Sequence, residues 1–135
     1  MTRLDDLARI GPTIAPALRR EGGILGAFVY RNDDLAAHIA TLFNLAEAHD
    51  LPLDFHVDEG LDVDARGIDA IIDETAKRGM AGRVLCGHGC SLSVRDVSQV
   101  ETLLGRAAEA GIGLTVLPGA NSYLQDAGTG RTPRL

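Results

Sequence analysis

Apolar positions along the chain alternate between helical and extended spacing. Leu4, Leu7, Ala8, Ile14 and Leu18 form one stripe and predict a helix over Leu4–Arg20. Gly11–Pro12 is expected to break it in two, because proline cannot continue the helical hydrogen-bond ladder. The apolar run Ile24–Tyr30, entered through Gly22–Gly23, reads as a strand. Asp33 or Asp34 can then cap a helix running to about Ala48, with Leu35, Ile39, Leu42, Phe43 and Leu45 inward. Leu51–Val57 is the next strand. Asp64 can cap a helix over Ala65–Arg78, buried through Ile68, Ile71, Ile72 and Ala76 and stopped by Gly79. Arg83–His88 reads as a strand, Val97–Ala110 as a helix ended by Gly111, and Ile112–Leu117 as a last strand closed by Pro118–Gly119.

The order is α-βα-βα-βα-β, with strand ends near Tyr30, His56, His88 and Pro118. Those ends recur about every 30 residues, the length of one βα unit. Apolar strands separated by helices imply an α/β fold with a parallel sheet of about four strands covered by helices. Such a sheet closes as a small doubly wound domain or forms an arc of a barrel. Either way, polar chemistry gathers at the carboxyl ends of the strands. The chain's 135 residues suit a single domain spanning 1–135. A complete (β/α)₈ barrel needs ~250 residues, so a barrel here would be partial.

Charge narrows the function classes. The net charge of −6 argues against nucleic acid, since no basic stripe faces phosphates; Arg19–Arg20 and Arg131–Arg134 form no face. No apolar run of about 18 residues predicts a membrane span. The acidic, amphipathic opening is unlike a signal peptide, so a cytoplasmic location is expected. Two cysteines, Cys86 and Cys90, are too few for a disulfide framework and suit a reducing compartment.

The candidate chemistry lies at the strand ends. In Phe55-His56-Val57-Asp58-Glu59, a histidine closing a buried strand can offer a neutral imidazole to zinc or iron. Glu59, already in the loop, can move a proton between water and a leaving amine. Asp58 can hold an imidazole in orientation from behind. The same acids equally suit a loop that simply leads into the next helix. His88 ends the following strand, within Cys86-Gly87-His88-Gly89-Cys90, and strands ~4.8 Å apart would present both histidines to one site. A separate cysteine–histidine–cysteine site is the weaker reading, and Cys86 fits better as a small core residue. His38 and His49 are expected to face solvent or end a helix. No phosphate-binding glycine loop, dinucleotide fingerprint or Gly-x-Ser-x-Gly elbow is present.

With these residues in view, the stretch Gly22–Pro133 resembles the cytosine deaminase-like branch of the amidohydrolase superfamily. His56-Val57-Asp58-Glu59 resembles the His-x-Asp-Glu segment of barrel strand five. Gly87-His88-Gly89-Cys90-Ser91-Leu92-Ser93 resembles the strand-six histidine and its loop. Leu117-Pro118-Gly119-Ala120-Asn121-Ser122-Tyr123-Leu124-Gln125 resembles the strand-seven Pro-x-x-Asn-x-x-Leu-Gln segment, and Gly130-Arg131-Thr132-Pro133 the sequence before the next helix.

The resemblance implies a partial TIM (β/α)₈ barrel covering approximately strands four to seven of a metal-dependent hydrolase acting on C–N bonds. It implies one divalent metal ion, zinc or iron, with His56 a ligand and His88 a ligand or the residue orienting the attacking water. Glu59 would be the proton shuttle, so Glu59 and His88 are the catalytic candidates. Asn121 and Gln125 would help choose a substrate among cytosine-like or other amino-substituted heterocycles and cyclic amides. The family's first-strand His-x-His has no counterpart before Ile24, and its last-strand aspartate has none either. Gly87-His88-Gly89 stands where relatives often have Ser-His-Thr.

The chain is therefore expected to be a fragment with an incomplete site. Strands Ile24–Tyr30 and Ile112–Leu117 are expected to be open edges, and the inner face of the arc an exposed apolar surface. Self-association or a complementary barrel segment follows from that. Two alternatives stand beside it: a non-catalytic half-barrel interaction protein, and a small self-contained α/β binding domain.

Overall fold

Three five-residue strands form the centre of the sheet: β2 (Leu25–Val29), β3 (Leu53–Val57) and β4 (Val84–His88). The structure, a computed structural model, describes residues 2–124. A two-residue strand, β1 (Thr2–Arg3), lies outside β2, and a three-residue strand, β5 (Gly113–Thr115), outside β4. All pairs are parallel and the spatial order β1-β2-β3-β4-β5 is the chain order.

That order decides between the two architectures left open by the pattern. A doubly wound sheet reverses direction at a switch point and carries helices on both faces. Right-handed crossovers that always step the same way put every helix on one face, as in a TIM barrel. The helices α1 (Leu7–Arg20), α2 (Leu35–Ala48), α3 (Gly67–Arg78) and α4 (Val97–Glu109) pack side by side in sequence. The fold is an arc of a (β/α)₈ barrel.

Burial alternates along β2 and β3 because only one sheet face is covered. Leu25, Ala27, Val29, Leu53, Phe55, Val57, Val84 and Cys86 meet Ile39, Leu42, Phe43, Ile68, Ile71 and Leu103 beneath the helices. Phe43 and Phe55 stack with centroids 6.2 Å apart. The opposite face presents Phe28, Asp54, His56, Leu85 and Gly87, which is mixed in character and not the broad apolar surface expected. Further exposed apolar side chains gather at and after β5, at Leu114, Val116 and Leu117.

Several local expectations need correction. A two-residue strand joins the four expected among the described residues, since Thr2–Arg3 pairs with Ala27–Phe28. Leu25–Val29 is thus interior, and the sheet edges are the two shortest strands, which blunts them against unwanted pairing. Leu4 lies in a 3-10 turn, Leu4–Asp6, ahead of α1. That helix runs unbroken through Pro12 and Pro16. Its continuity follows from packing: Leu7 and Ala15 are buried, and a Cβ at Gly11 would come within 2.5 Å of the Leu45 side chain on α2. Asp34 occupies the position before α2 but makes no capping hydrogen bond from its side chain. Helix α3 starts at Gly67, and its cap comes from Asp58, not Asp64.

Candidate active site at the strand ends

Residues Phe28, His56 and Gly87 are in register across β2, β3 and β4, and Val57 is in register with His88. His56 lies on the uncovered face of the sheet. By alternation alone His88 would share the covered face with Cys86. Its backbone is instead left-handed, with φ of 75°, followed by Gly89 at 60°. Histidine visits this region more readily than most residues, and such positions cluster at functional sites. The turn sends the chain into a 3-10 segment, Cys90–Val94, and the His88 ring meets His56 with centroids 4.7 Å apart.

The contact joins His88 Nε2 to His56 Nδ1 at 3.1 Å. Glu59 reaches the same ring from the loop after β3, with Oε1 3.4 Å from His88 Nδ1. Ligand atoms of His56, Glu59 and His88 lie within 4.8 Å of one another. Two nitrogens bound at about 2.0–2.1 Å to one tetrahedral ion stand about 3.3 Å apart. The 3.1 Å separation is close to that, so the donor set fits a divalent ion.

Asn121 lies on α5 (Pro118–Leu124) and is 1% exposed. Its Oδ1 is 2.7 Å from His88 Nδ1, and its buried Nδ2 has no partner among the described residues. The side chain that meets the His88 ring from behind is therefore Asn121. Asp58, expected in that role, is committed elsewhere: its carboxylate accepts the N–H groups of Gly67 at 3.1 Å and Ile68 at 3.0 Å. Four unpaired N–H groups at a helix start are a strong local demand, and Asp58 answers it. Burial pushes the Asp58 carboxyl above its ordinary range, outweighing those two hydrogen bonds and nearby Arg95. Arg95, almost fully buried, stands 4.0 Å from Asp58 and pairs with Asp69 at 2.8 Å.

The remaining candidates separate cleanly. Gln125 lies outside the described residues, as does the Gly130–Pro133 segment. Cys86 and Cys90 are buried and unbridged, and burial pushes the Cys86 thiol up to about 12. Among the described residues the group placed to hold a metal is His56, Glu59 and His88, and neither cysteine joins it. His49 follows the end of α2 and His38 sits near its start, Nδ1 3.1 Å from the Asp33 carbonyl. Sequence reading missed a clasp between two loops. Tyr30 lies across Gly60, where a Cβ would stand 2.2 Å from its hydroxyl, and Arg31 pairs with Asp62 at 3.2 Å. A glycine directly after Glu59 was the available signal.

No protein-family model matches the chain. It is 37% identical over 121 residues to a pterin deaminase of Rhizobium rhizogenes, covering 90% of this chain. That likeness supports the deaminase branch of the amidohydrolase superfamily for the part of the relative the chain covers. Two solved structures agree on the fold. A 5-methylcytosine deaminase from Klebsiella pneumoniae liganded with phosphonocytosine superposes with a TM-score of 0.70 at 21% identity over 84% of this chain. N-isopropylammelide isopropylaminohydrolase from Burkholderia multivorans gives 0.67 at 29% identity over 76%. The chain spans 28% of the pterin deaminase and 28% and 27% of those two structures.

Proposed function

We propose that this chain carries part of the active site of a metal-dependent hydrolase that removes an amino group from a nitrogen heterocycle. The convergence of His56 Nδ1 and His88 Nε2 beside Glu59 is the observation that supports it most directly. His56 and His88 are the metal-holding residues, and His88 and Glu59 the catalytic ones. A bound zinc or iron ion supplies a Lewis acid that makes water nucleophilic near neutral pH. Glu59, 22% exposed, takes the proton of the attacking water and delivers it to the substrate's ring nitrogen or leaving amine. Asn121 Nδ2, without a partner among the described residues, leaves one buried donor for a substrate, and Gln125 is proposed as its companion.

Pterins, cytosines and triazines share an amidine-like carbon bearing an amino group, which is the substrate class proposed here. A catalytic site normally has three protein ligands, so further donors are proposed to come from a complementary barrel segment or a second copy. The apolar side chains left exposed around β5 support that reading, beside a cavity of about 440 Å³ lined by Val100, Leu104, Leu114 and Val116. No described helix is long and apolar enough to cross a membrane, and a cytoplasmic setting accords with the unbridged thiols.

The test is zinc and ferrous-ion titration of the full chain, alone and mixed with a complementary barrel segment, followed by ammonia release from a pterin and from cytosine. One equivalent of metal, lost in His56→Ala, is the expected result. Failure to bind metal under either condition overturns the enzyme reading and leaves a half-barrel that serves interaction alone.

A further inference from the structure

Two oxygen acceptors converge on one nitrogen of His88. Asn121 Oδ1 lies 2.7 Å from Nδ1 and Glu59 Oε1 lies 3.4 Å from the same atom. An amide oxygen and a carboxylate can both only accept, so the proton of the neutral ring belongs on Nδ1. Nε2 is then the lone-pair nitrogen, and it is the one facing His56. Histidine free in water prefers the other tautomer, with the proton on Nε2. The site must impose the choice.

We infer that Asn121 is the positioning residue that imposes it, holding Nδ1–H of His88 and keeping Glu59 off that proton. The distances favour the amide over the carboxylate. Asn121 is 1% exposed, and its place is fixed by its own N–H, which donates to the Leu117 carbonyl at 2.8 Å. Glu59 stands beside the same nitrogen at the longer distance, where the transfer proposed above places it. This inference rests on His88 being a site residue, but its measurement does not rest on a metal.

The experiment is long-range proton–nitrogen correlation spectroscopy on the metal-free, nitrogen-15-labelled full chain, at a pH where imidazoles are neutral. His88→Gln assigns the His88 signals. The wild-type His88 is expected as the Nδ1–H tautomer, retained in Glu59→Gln and in Asn121→Asp, which keeps an oxygen acceptor. Asn121→Leu is expected to move it to Nε2–H or to a mixture. Nε2–H in the wild type, Nδ1–H persisting in Asn121→Leu, or a switch caused by Glu59→Gln would overturn the assignment; the wild-type and Glu59→Gln spectra decide it even if Asn121→Leu does not fold. A chain that binds no metal yet shows this pattern overturns the proposed function and leaves the positioning role intact.

Discussion

Asp58 Oδ2 accepts the backbone N–H of Ile68 at 3.0 Å across ten residues of chain. Its Oδ1 takes the neighbouring N–H of Gly67 at 3.1 Å, and the approach is so close that a Cβ at Gly67 would lie 2.6 Å from that oxygen. The end of β3 and the start of α3 are thereby pinned together. Asp58 lies between His56 and Glu59 in the chain, so the same bond sets where the two proposed site side chains begin.

Removing this cap should destabilise the chain. Asp58→Ala leaves two buried N–H groups unpaired and is expected to lower unfolding stability by about 2–4 kcal/mol, with Asp58→Asn losing less because one acceptor oxygen remains. Urea denaturation measures both. Equal loss in the two variants would show that the acceptor is not what counts.

The same carboxyl should leave a signature in pH. Its folded-state pKa is raised from 3.8, with burial the largest cause. Between 3.8 and the folded value, the native state holds more protons than the unfolded chain. This group's contribution to stability is therefore fully present below 3.8 and is lost as pH rises through its folded pKa. Subtracting the stability profile of Asp58→Asn from that of the wild type should expose that downward slope. A difference profile that climbs with pH across the window would mean that the N–H bonds and Arg95 outweigh burial.

The strand-end histidines were legible because a strand's polarity and a thirty-residue repeat are properties of short windows. His56, Glu59 and His88 could be named as candidates from their place at the strand ends and from the resemblance. The roles of Asp58 and Asn121 could not, because each depends on a partner distant in sequence: Gly67 and Ile68 for one, His88 for the other. The unbroken α1 was hidden for a related reason. A local rule forbids proline there, and only the packing of Leu7, Gly11 and Ala15 overrides it. Strand β1 is two residues long and exists only by pairing with β2, so no window signal marks it.

The Tyr30–Gly60 contact predicts a coupled pair. Gly60→Ala places a methyl 2.2 Å from the Tyr30 hydroxyl, so the loop holding Glu59 must shift or the ring must leave. A loss of about 1–3 kcal/mol is expected, as for other overpacked sites. In Tyr30→Ala the same glycine substitution should be nearly neutral, giving a coupling energy above about 0.5 kcal/mol in a double-mutant cycle. Additive effects would show that Tyr30 does not set the position of the loop.

Arg78 joins α2 to α3 and should be hard to replace. Its guanidinium contacts Glu74 at 2.6 Å, Glu47 at 2.5 Å and Asn44 at 2.7 Å, and lies 5.7 Å from the centre of the Phe43 ring. A planar fork can serve several acceptors while lying near an aromatic ring; an ammonium cannot reproduce that. Arg78→Lys is expected to recover less than half of the roughly 1–3 kcal/mol lost in Arg78→Ala, a range discounted because Glu47 is half exposed. Thermal or urea unfolding of the two variants measures this, and full recovery by lysine would assign the effect to charge alone.

Thiol reactivity tests the placement of the two cysteines. Cys86 is 2% exposed and Cys90 0%, and burial pushes the Cys86 thiol up to about 12, so almost none is thiolate near neutral pH. Because the thiolate is the reacting species, the native chain should react with an aromatic disulfide reagent orders of magnitude more slowly than the urea-unfolded chain. Unfolded chain should titrate two thiols, matching the two cysteines of the sequence. Zinc is expected to leave the native rate unchanged, because the proposed ligands are imidazoles. Protection of Cys86 by zinc at concentrations that do not stabilise the fold would bring back the thiolate site and remove His56 from the proposed one.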